Sequence, residues 1–464
     1  MNKLSLLFVA SAFCVVSCEY TTDVVSGYEP VEDQDETLTN DEVEALANFF
    51  SNPKVSQDEA VESALSIMDF LDSSSQTKGS SGRKIESVKP VMGTNFLTKS
   101  GEEVEDTVAY VFNFSDNQGY TILSADRRTS GVLALVPEGN IDFEGDFDED
   151  ILKSGAMVFY GNLAAAYEDE IAEAEQKEAM LVSSALEKLF GSDSTLTKGE
   201  LDDVTVEYGP LKIETLVCNM IAVRWGQDNP YNLYTPVISG EHAPTGCVAT
   251  AVAQLLSYWK TPRSYDWKTL VPFPGCETEH TFFGVSQLMS EVADGLNTKY
   301  GKKESSANIA DVPAYLTSLG LYPGTYAAFG DGGEVGNSLA DYHPVIMAGS
   351  AIKCDVYKQY LIFFEKYSHT YYDDNHAWVV DGVVMSYRDM YMTYQGKTYT
   401  FDHQMQKMLL HCNWGWPHLP LDGFYEWGVF DTRKGPLTRA RTNQNGSKGY
   451  YRYNVEAISG IERR

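Results

Sequence analysis

At 464 residues the chain is longer than one ordinary domain and is sized for two or three. Its hydrophobic share of 43% and aromatic share of 12% are enough to build real cores. A formal net charge of -31, with no lysine- or arginine-rich run, excludes nucleic acid as a partner and excludes electrostatic docking on anionic lipid.

The N-terminus reads as an export signal. Met1-Asn2-Lys3 is a short basic start, Leu4 to Val16 is too short to span a bilayer, and small residues precede Cys18, so residues 1–18 have the form of a secretory signal. Val15-Val16-Ser17-Cys18 also has the form of a bacterial lipobox, in which Cys18 is acylated and becomes the first residue of the exported protein. The alternative is ordinary cleavage nearby with an incidental cysteine. The expected location is a cell-envelope lipoprotein, at the outer membrane or cell surface, or a secreted form after processing. Membrane contact is then by lipid anchor only.

With Cys14 lost in the signal and Cys18 acylated, Cys218, Cys247, Cys276, Cys354 and Cys412 remain. None lies in a Cys-x-x-Cys pairing, so no structural metal site is expected. An odd count outside the reducing cytosol leaves at least one thiol unpaired, and spacing does not assign bridges among the others.

Residues 19–39 are acidic and aperiodic, a disordered linker. Asn40 to Phe50 and Ser56 to Leu71 are expected helices. Ser56 is placed to cap the second, with Glu59 three residues on, and Val61, Ala64, Leu65, Met68 and Leu71 make one apolar face. Ser73 to Gly82 reads as a Ser/Gly-rich loop. The period then shortens to two. Thr107 to Phe114 and Tyr120 to Ala125 flank Ser115-Asp116-Asn117-Gln118-Gly119 as a hairpin, and Val132 to Val136 is a third strand. Ile151 to Leu189 is mostly helix former. Gly191 to Glu200 is polar and small, the kind of segment proteases cut, which places a domain boundary near Lys198 and a compact α+β unit over 40–198.

From Leu201 the texture changes to dense Tyr, Trp and Gly, with helices followed by short strands. The one long helix expected here is early, within Pro244 to Lys260. Val248, Val252, Leu255, Leu256 and Trp259 recur at helical spacing, Thr245 is placed to cap, and Thr261-Pro262 stops the run. Cys247 falls in its first turn, where unpaired backbone N–H groups and the positive end of the helix dipole favour a thiolate. Taken alone it reads more readily as a core cysteine. His376-Ala377-Trp378-Val379-Val380-Asp381-Gly382 reads as a strand entering a turn, and Leu409 to Asn413 as a strand leading into Trp414-Gly415-Trp416.

Attack on an amide needs a thiolate, an imidazole that takes and returns a proton, a group that orients the imidazole, and donors for the developing oxyanion. Four stretches supply candidates. Cys247 is the thiolate. His376 follows the acidic Asp373-Asp374-Asn375 loop, which favours an imidazolium. Asn413 can accept from the imidazole N–H, with Trp414 or Trp416 shielding that bond from water. Gln227 carries an amide upstream of the nucleophile. His343, ahead of a core strand, reads as structural, and His411, two residues before Asn413, as a rival to His376.

In order along the chain, Gln227 with Asn229-Pro230-Tyr231-Asn232, Gly246-Cys247-Val248-Ala249-Thr250-Ala251, His376-Ala377 through Asp381-Gly382, and Asn413-Trp414-Gly415-Trp416 with Asp422-Gly423-Phe424 resemble the streptopain family of secreted bacterial cysteine peptidases. The resemblance covers about residues 210 to 430 well. It extends more loosely to Glu59 to Leu71 and Gly119 to Asp142, which look like that family's inhibitory propeptide. It implies an α+β fold, a papain-like two-lobe peptidase domain over 199–464 preceded by a smaller α+β propeptide domain over 40–198. It implies Cys247 as nucleophile, His376 as general base, Gln227 as oxyanion donor, and Asn413 and Trp414 beside the imidazole. Tyr300 to Ala307 falls where the family places a substrate-contacting loop, making Ser305 and Ser306 substrate-binding candidates. Asn375 stands where the family usually has glycine, which implies a narrower cleft. Val384 to Gln406 is longer than the family's short turn, so substrate preference does not carry over.

The expectation is therefore an exported cysteine endopeptidase zymogen, acting through a Cys-His thioester on protein or peptide substrates with no cofactor and no metal. Its own propeptide is the intramolecular inhibitor, removed by cleavage near Lys198. The alternative is a catalytically silent surface binding or inhibitory protein on the same fold.

Overall fold

The computed structural model describes residues 38–74, 82–97, 103–142, 156–190, 204–217, 219–330, 332–361, 364–394, 396–430 and 455–464. The signal with Cys18, the acidic stretch up to residue 37, Cys218 and the boundary near Lys198 lie outside these residues. Among the described residues no helix is long and apolar enough to cross a membrane.

The front half opens with α1 (Asn40–Phe50) and α2 (Gln57–Ser74). Thr39 and Glu42 form a capping box on α1, and Ser56 Oγ accepts the Glu59 N–H at the start of α2. Four strands follow: β1 (Ile85–Leu97), β2 (Glu103–Phe114), β3 (Tyr120–Ser124) and β4 (Val132–Val136). β2 and β3 close the expected hairpin, with Asn113 opposite Tyr120. β1 was not expected. It is an edge strand paired to β2, a position where Pro90 is tolerated because its missing N–H need not enter the ladder. The long α3 (Met157–Phe190) completes the unit. Alternation along β2 sends Phe112 and Phe114 into a core with Ala64, Ile67 and Met68 of α2, and Val111 into a core with Phe159 and Leu163 of α3.

The second half begins with β5 (Thr205–Tyr208) and β6 (Lys212–Val217), then a small hairpin of β7 (Val237–Ile238) and β8 (Glu241–His242). A helical region follows: α4 (Cys247–Trp259), α5 (Trp267–Leu270), α6 (Glu279–Gly295) and α7 (Val312–Ser318). Then come β9 (Leu321–Ala328), α8 (Gly333–Ala340), β10 (Val345–Leu361), β11 (Phe364–Tyr394), β12 (Lys397–Asn413), β13 (Gly423–Glu426) and β14 (Glu456–Arg463). Two expectations are corrected here. At 17 residues α6 is longer than α4 with 13, so the cysteine helix is not the one long helix. The late strands are long, not short: β11 runs straight through Asp381-Gly382, with a register shift between Val380 and Gly382. An Asp-Gly pair that reads as a turn is here a bulge, one extra residue absorbed within the ladder.

The sheet is continuous across both halves. Its order is β1-β2-β3-β4-β13-β12-β11-β10-β14-β9, with β5 and β6 also on β11. The junction is β4 against β13, where Leu135 faces Phe424 and Ala134 faces Tyr425. One face of β10 and β11, with Ile346, Ala377 and Val379, packs on α4 and α6. The other, with Met347, Trp378 and Val380, packs toward Phe159 and Tyr160 of α3. The fold class is α+β, as expected. The segment Val384 to Gln406 forms the far end of the β11–β12 hairpin, and its Met390, Met392 and Phe401 share a core with Leu46 of α1 and Val182 and Leu186 of α3.

Candidate active site

Helix α4 is buried from Val248 through Ser257, a nearly all-apolar helix enclosed on all sides. Its N-cap is Gly246, not Thr245, and no side chain caps it. Gly246 has φ of +90°, and a Cβ there would lie 2.7 Å from the Ser305 carbonyl oxygen, so the turn that presents Cys247 requires glycine. Thr245 instead ties the approach: its N–H donates to the Gln227 carbonyl at 2.9 Å, and its hydroxyl lies 3.0 Å from that of Thr250. Gln227 is thereby held two residues from the nucleophile along the chain path.

Cys247, Gln227, His376, Asn413 and Trp414 line one depression, together with Thr250, Ala251, Gln254, Ala377, Trp378 and Gly415. The three segments come from the 220s loop, from the start of α4 and from the β11–β12 region of the sheet. Cys247 is half-buried. Burial pushes its thiol up, and the backbone N–H groups of Ala377, Val248 and Cys247 itself only partly offset this. The thiolate expected from the helix N-terminus is therefore not the favoured form here, because loss of solvation outweighs the amide field.

His376 is buried, on the same face of β11 as Trp378, whose ring it stacks at 6.5 Å and 9°. Burial holds its imidazole down to about 4, and the Trp414 carbonyl opposes that shift. Nε2 donates to this carbonyl at 3.0 Å, which fixes the Nε2–H tautomer and leaves Nδ1 as the basic nitrogen. Two expectations differ from this arrangement. Asp373-Asp374-Asn375 is backbone of β11 paired to β10, not a loop, and the imidazole is kept neutral. Asn413 does not take the imidazole N–H: its Oδ1 accepts from Gln254 Nε2 at 3.0 Å and from the Gly415 N–H at 3.3 Å, and its Nδ2 donates to the Val223 carbonyl at 2.9 Å.

Trp414 is anchored at three points. Its N–H donates to Asp422 Oδ1 at 2.9 Å, its Nε1 to the Leu421 carbonyl at 3.1 Å, and its ring lies 5.0 Å from that of Trp378. Burial pushes the Asp422 carboxyl up to about 6, against the opposing pull of the Trp414 N–H and Arg224. Arg224 also reaches Glu138 of the front half at 2.7 Å.

The remaining candidates fall as follows. Ser305 is buried behind Gly246, and Ser306 is exposed and pairs with Lys299. Asn375 pairs with Ser350 through the β10–β11 register, and its side chain lies outside the described residues. His411 is no rival to His376: its Nδ1 lies 2.6 Å from Asp381 Oδ1, whose other oxygen accepts the Ile221 N–H, so it staples β11 to β12. His343 packs near Trp259, and Cys412 is buried in the sheet core as its alternation with Asn413 requires. Sequence reasoning missed Gln254, whose only signal was a polar residue two turns along the buried face from Cys247. Among the described residues no cluster of side chains could hold a metal ion.

Comparison with known proteins adds the family. Residues 225–425 match the Peptidase C10 family and residues 52–149 match the Spi protease inhibitor family. The chain is similar to streptopain of Streptococcus pyogenes serotype M1, 24% identical over 466 residues, covering 89% of this chain and 92% of that one. A second Streptococcus pyogenes streptopain is 26% identical over 312 residues, 58% of this chain and 66% of the relative. Among solved structures, prointerpain A of Prevotella intermedia aligns with a TM-score of 0.44 and 18% identity over 81% of this chain and 100% of that one. The segment that brings Cys247 and His376 into one depression is thus similar to the Peptidase C10 family and follows a segment similar to the Spi protease inhibitor, and the chain is a cysteine peptidase of α+β fold.

Proposed function

We propose that the chain is the latent form of an exported cysteine endopeptidase, with Cys247 as nucleophile and His376 as general base. The observation that carries this reading is the single depression lined by Cys247, Gln227, His376, Asn413 and Trp414. In the first step His376 Nδ1 takes the thiol proton and the sulfur attacks the peptide carbonyl carbon. The Gln227 amide and the Cys247 N–H stabilise the oxyanion. The imidazolium then protonates the leaving amine, and a thioester remains. Water, deprotonated by His376, hydrolyses it and regenerates the thiol.

The front half acts as an intramolecular inhibitor. Its contact through β4 and β13 and its shared cores place it against the sheet that carries His376. With thiol and imidazole both neutral, the described arrangement is the resting one. The ring must leave the Trp414 carbonyl to engage Cys247 as an ion pair. Cleavage near Lys198 separates the halves, and acylation at Cys18 anchors the exported chain, as the lipobox pattern implies.

The test is casein cleavage by the full chain under reducing conditions, beside Cys247→Ala. The parent is expected to mature, to cleave casein and to be labelled by an epoxide reagent, and the variant to do none of these. A Cys247→Ala chain that matured and cleaved at the parental rate would falsify the assignment. Incorporation of labelled palmitate, lost in Cys18→Ala, tests the anchor separately.

A further inference from the structure

We infer that Gln254 is a positioning residue for the peptidase reaction, acting through Asn413; the inference rests on the proposed role of Cys247 and His376. Gln254 is completely buried on α4 and lines the same depression as Cys247. Both hydrogens of its amide nitrogen are used: Nε2 donates to the Trp225 carbonyl at 2.8 Å and to Asn413 Oδ1 at 3.0 Å. One side chain therefore links the helix that carries the nucleophile, the loop that carries Gln227 and the end of β12 that carries Asn413 and Trp414.

The bond to Asn413 fixes which way that amide points. Oδ1 accepts from Gln254 at 3.0 Å and from the Gly415 N–H at a longer 3.3 Å, and Nδ2 donates to the Val223 carbonyl, so Asn413 turns its oxygen to the floor of the depression, where an imidazole N–H would take the place of the longer Gly415 bond. An imidazole that leaves the Trp414 carbonyl meets this oxygen in a fixed orientation. Without Gln254 the amide can rotate and offer a donor instead, which repels an imidazole N–H.

The cost of the arrangement is visible in Gln254 itself. Its Oε1 is buried with no hydrogen-bond partner among the described residues. An apolar side chain of similar volume would avoid that penalty in a helix otherwise buried among Val252, Leu255 and Leu256. What offsets that penalty is the pair of bonds to the Trp225 carbonyl and Asn413, both in segments that line the site.

The experiment uses the full chain matured in solution, with active sites titrated by an epoxide reagent, and compares the parent, Gln254→Met, Gln254→Glu, Asn413→Ala and the Gln254→Met, Asn413→Ala double variant. Gln254→Met is expected to lower kcat by roughly 10- to 100-fold with KM within about twofold. The same change in the Asn413→Ala background is expected to cost almost nothing further, because the side chain acts through Asn413. Gln254→Glu, a buried carboxyl that can offer one donor at most where the amide offers two, is expected to fall between the parent and Gln254→Met in kcat. Parental kcat and pH profile in Gln254→Met overturn the inference, as does a full, additive loss in the Asn413→Ala background. Activity that survives Cys247→Ala sinks the proposed function instead, so the two failures are distinct.

Discussion

Asp422 and His376 grip opposite ends of one residue: the Trp414 N–H donates to Asp422 Oδ1 at 2.9 Å, and the Trp414 carbonyl accepts from His376 Nε2 at 3.0 Å. Burial moves their protonation in opposite directions, His376 down to about 4 and Asp422 up to about 6. Between those values both are neutral.

Their effects on stability oppose each other. As pH falls from 6.5 toward 4, the unfolded imidazole protonates before the folded one, so His376 removes stability, by about 3 kcal/mol in all. As pH falls from about 6 to 3.8, the folded Asp422 takes its proton first, and a similar amount returns. The intact Cys247→Ala chain is therefore expected to change little in thermal midpoint across this window on account of the pair. Asp422→Asn, which keeps an acceptor for the Trp414 N–H, removes the compensation. Its midpoint is expected to drop steeply between pH 6 and 4.5, and a parallel pair of curves would show that the two groups are not balanced in this way.

The raised thiol of Cys247 makes a second prediction. With the front half in place, alkylation by iodoacetamide at pH 7 is expected to be slow, since the thiolate is the reacting species. After maturation the rate is expected to rise roughly tenfold or more as the ion pair forms. Mass spectrometry of the Cys247 peptide reads both. Equal rates before and after cleavage would mean that the front half does not set the protonation of the site.

Much of this was legible in the chain, and the gaps have physical causes. The period of two over Thr107 to Phe114 and the run of apolar residues in α4 named those elements because burial demands apolar side chains along them, on both faces of β2 and all round α4. β1 was missed because Pro90 and a polar alternation weaken a strand pattern that only pairing with β2 rescues. The run through Asp381-Gly382 was read as a turn because turn chemistry and bulge chemistry use the same residues. A Cβ on Gly382 would meet the Asn219 nitrogen at 3.0 Å and His411 Cβ at 3.1 Å, a crowding that comes from strands distant in sequence. Cys247, Gln227, His376 and Asn413 could be singled out by residue type. That His376 bonds to a carbonyl and Asn413 to Gln254 could not, because each bond depends on where α4 lies against the sheet.

Gly246→Ala is expected to harm both stability and rate. The left-handed φ of +90° and the 2.7 Å approach to the Ser305 carbonyl leave no room for a methyl group. The cost is expected to be about 1–3 kcal/mol, read as a fall in thermal midpoint. Relief of the clash displaces the first turn of α4 or the 301–305 loop, so casein cleavage by the matured variant should fall as well. Parental stability would mean that the turn tolerates a Cβ.

The hold of the front half on the peptidase half is expected to come from apolar contact and not from the exposed Arg224–Glu138 ion pair. Arg224 and Glu138 are exposed to 44% and 60%, and a pair so solvated is worth under about 1 kcal/mol. Leu46, by contrast, is fully buried with Met390, Met392 and Phe401 of the β11–β12 hairpin. Removing its side chain to Ala costs on the order of 2–5 kcal/mol through lost burial and the cavity left behind. Part of that cost falls on the contact between the halves, because the core belongs to both. Leu46→Ala is therefore expected to mature faster and to show measurable cleavage before the link is cut, while Glu138→Ala matures like the parent. A time course of casein cleavage and of chain cutting, run side by side for the two variants, decides the matter: faster activation in Glu138→Ala than in Leu46→Ala would place the restraint at the ion pair.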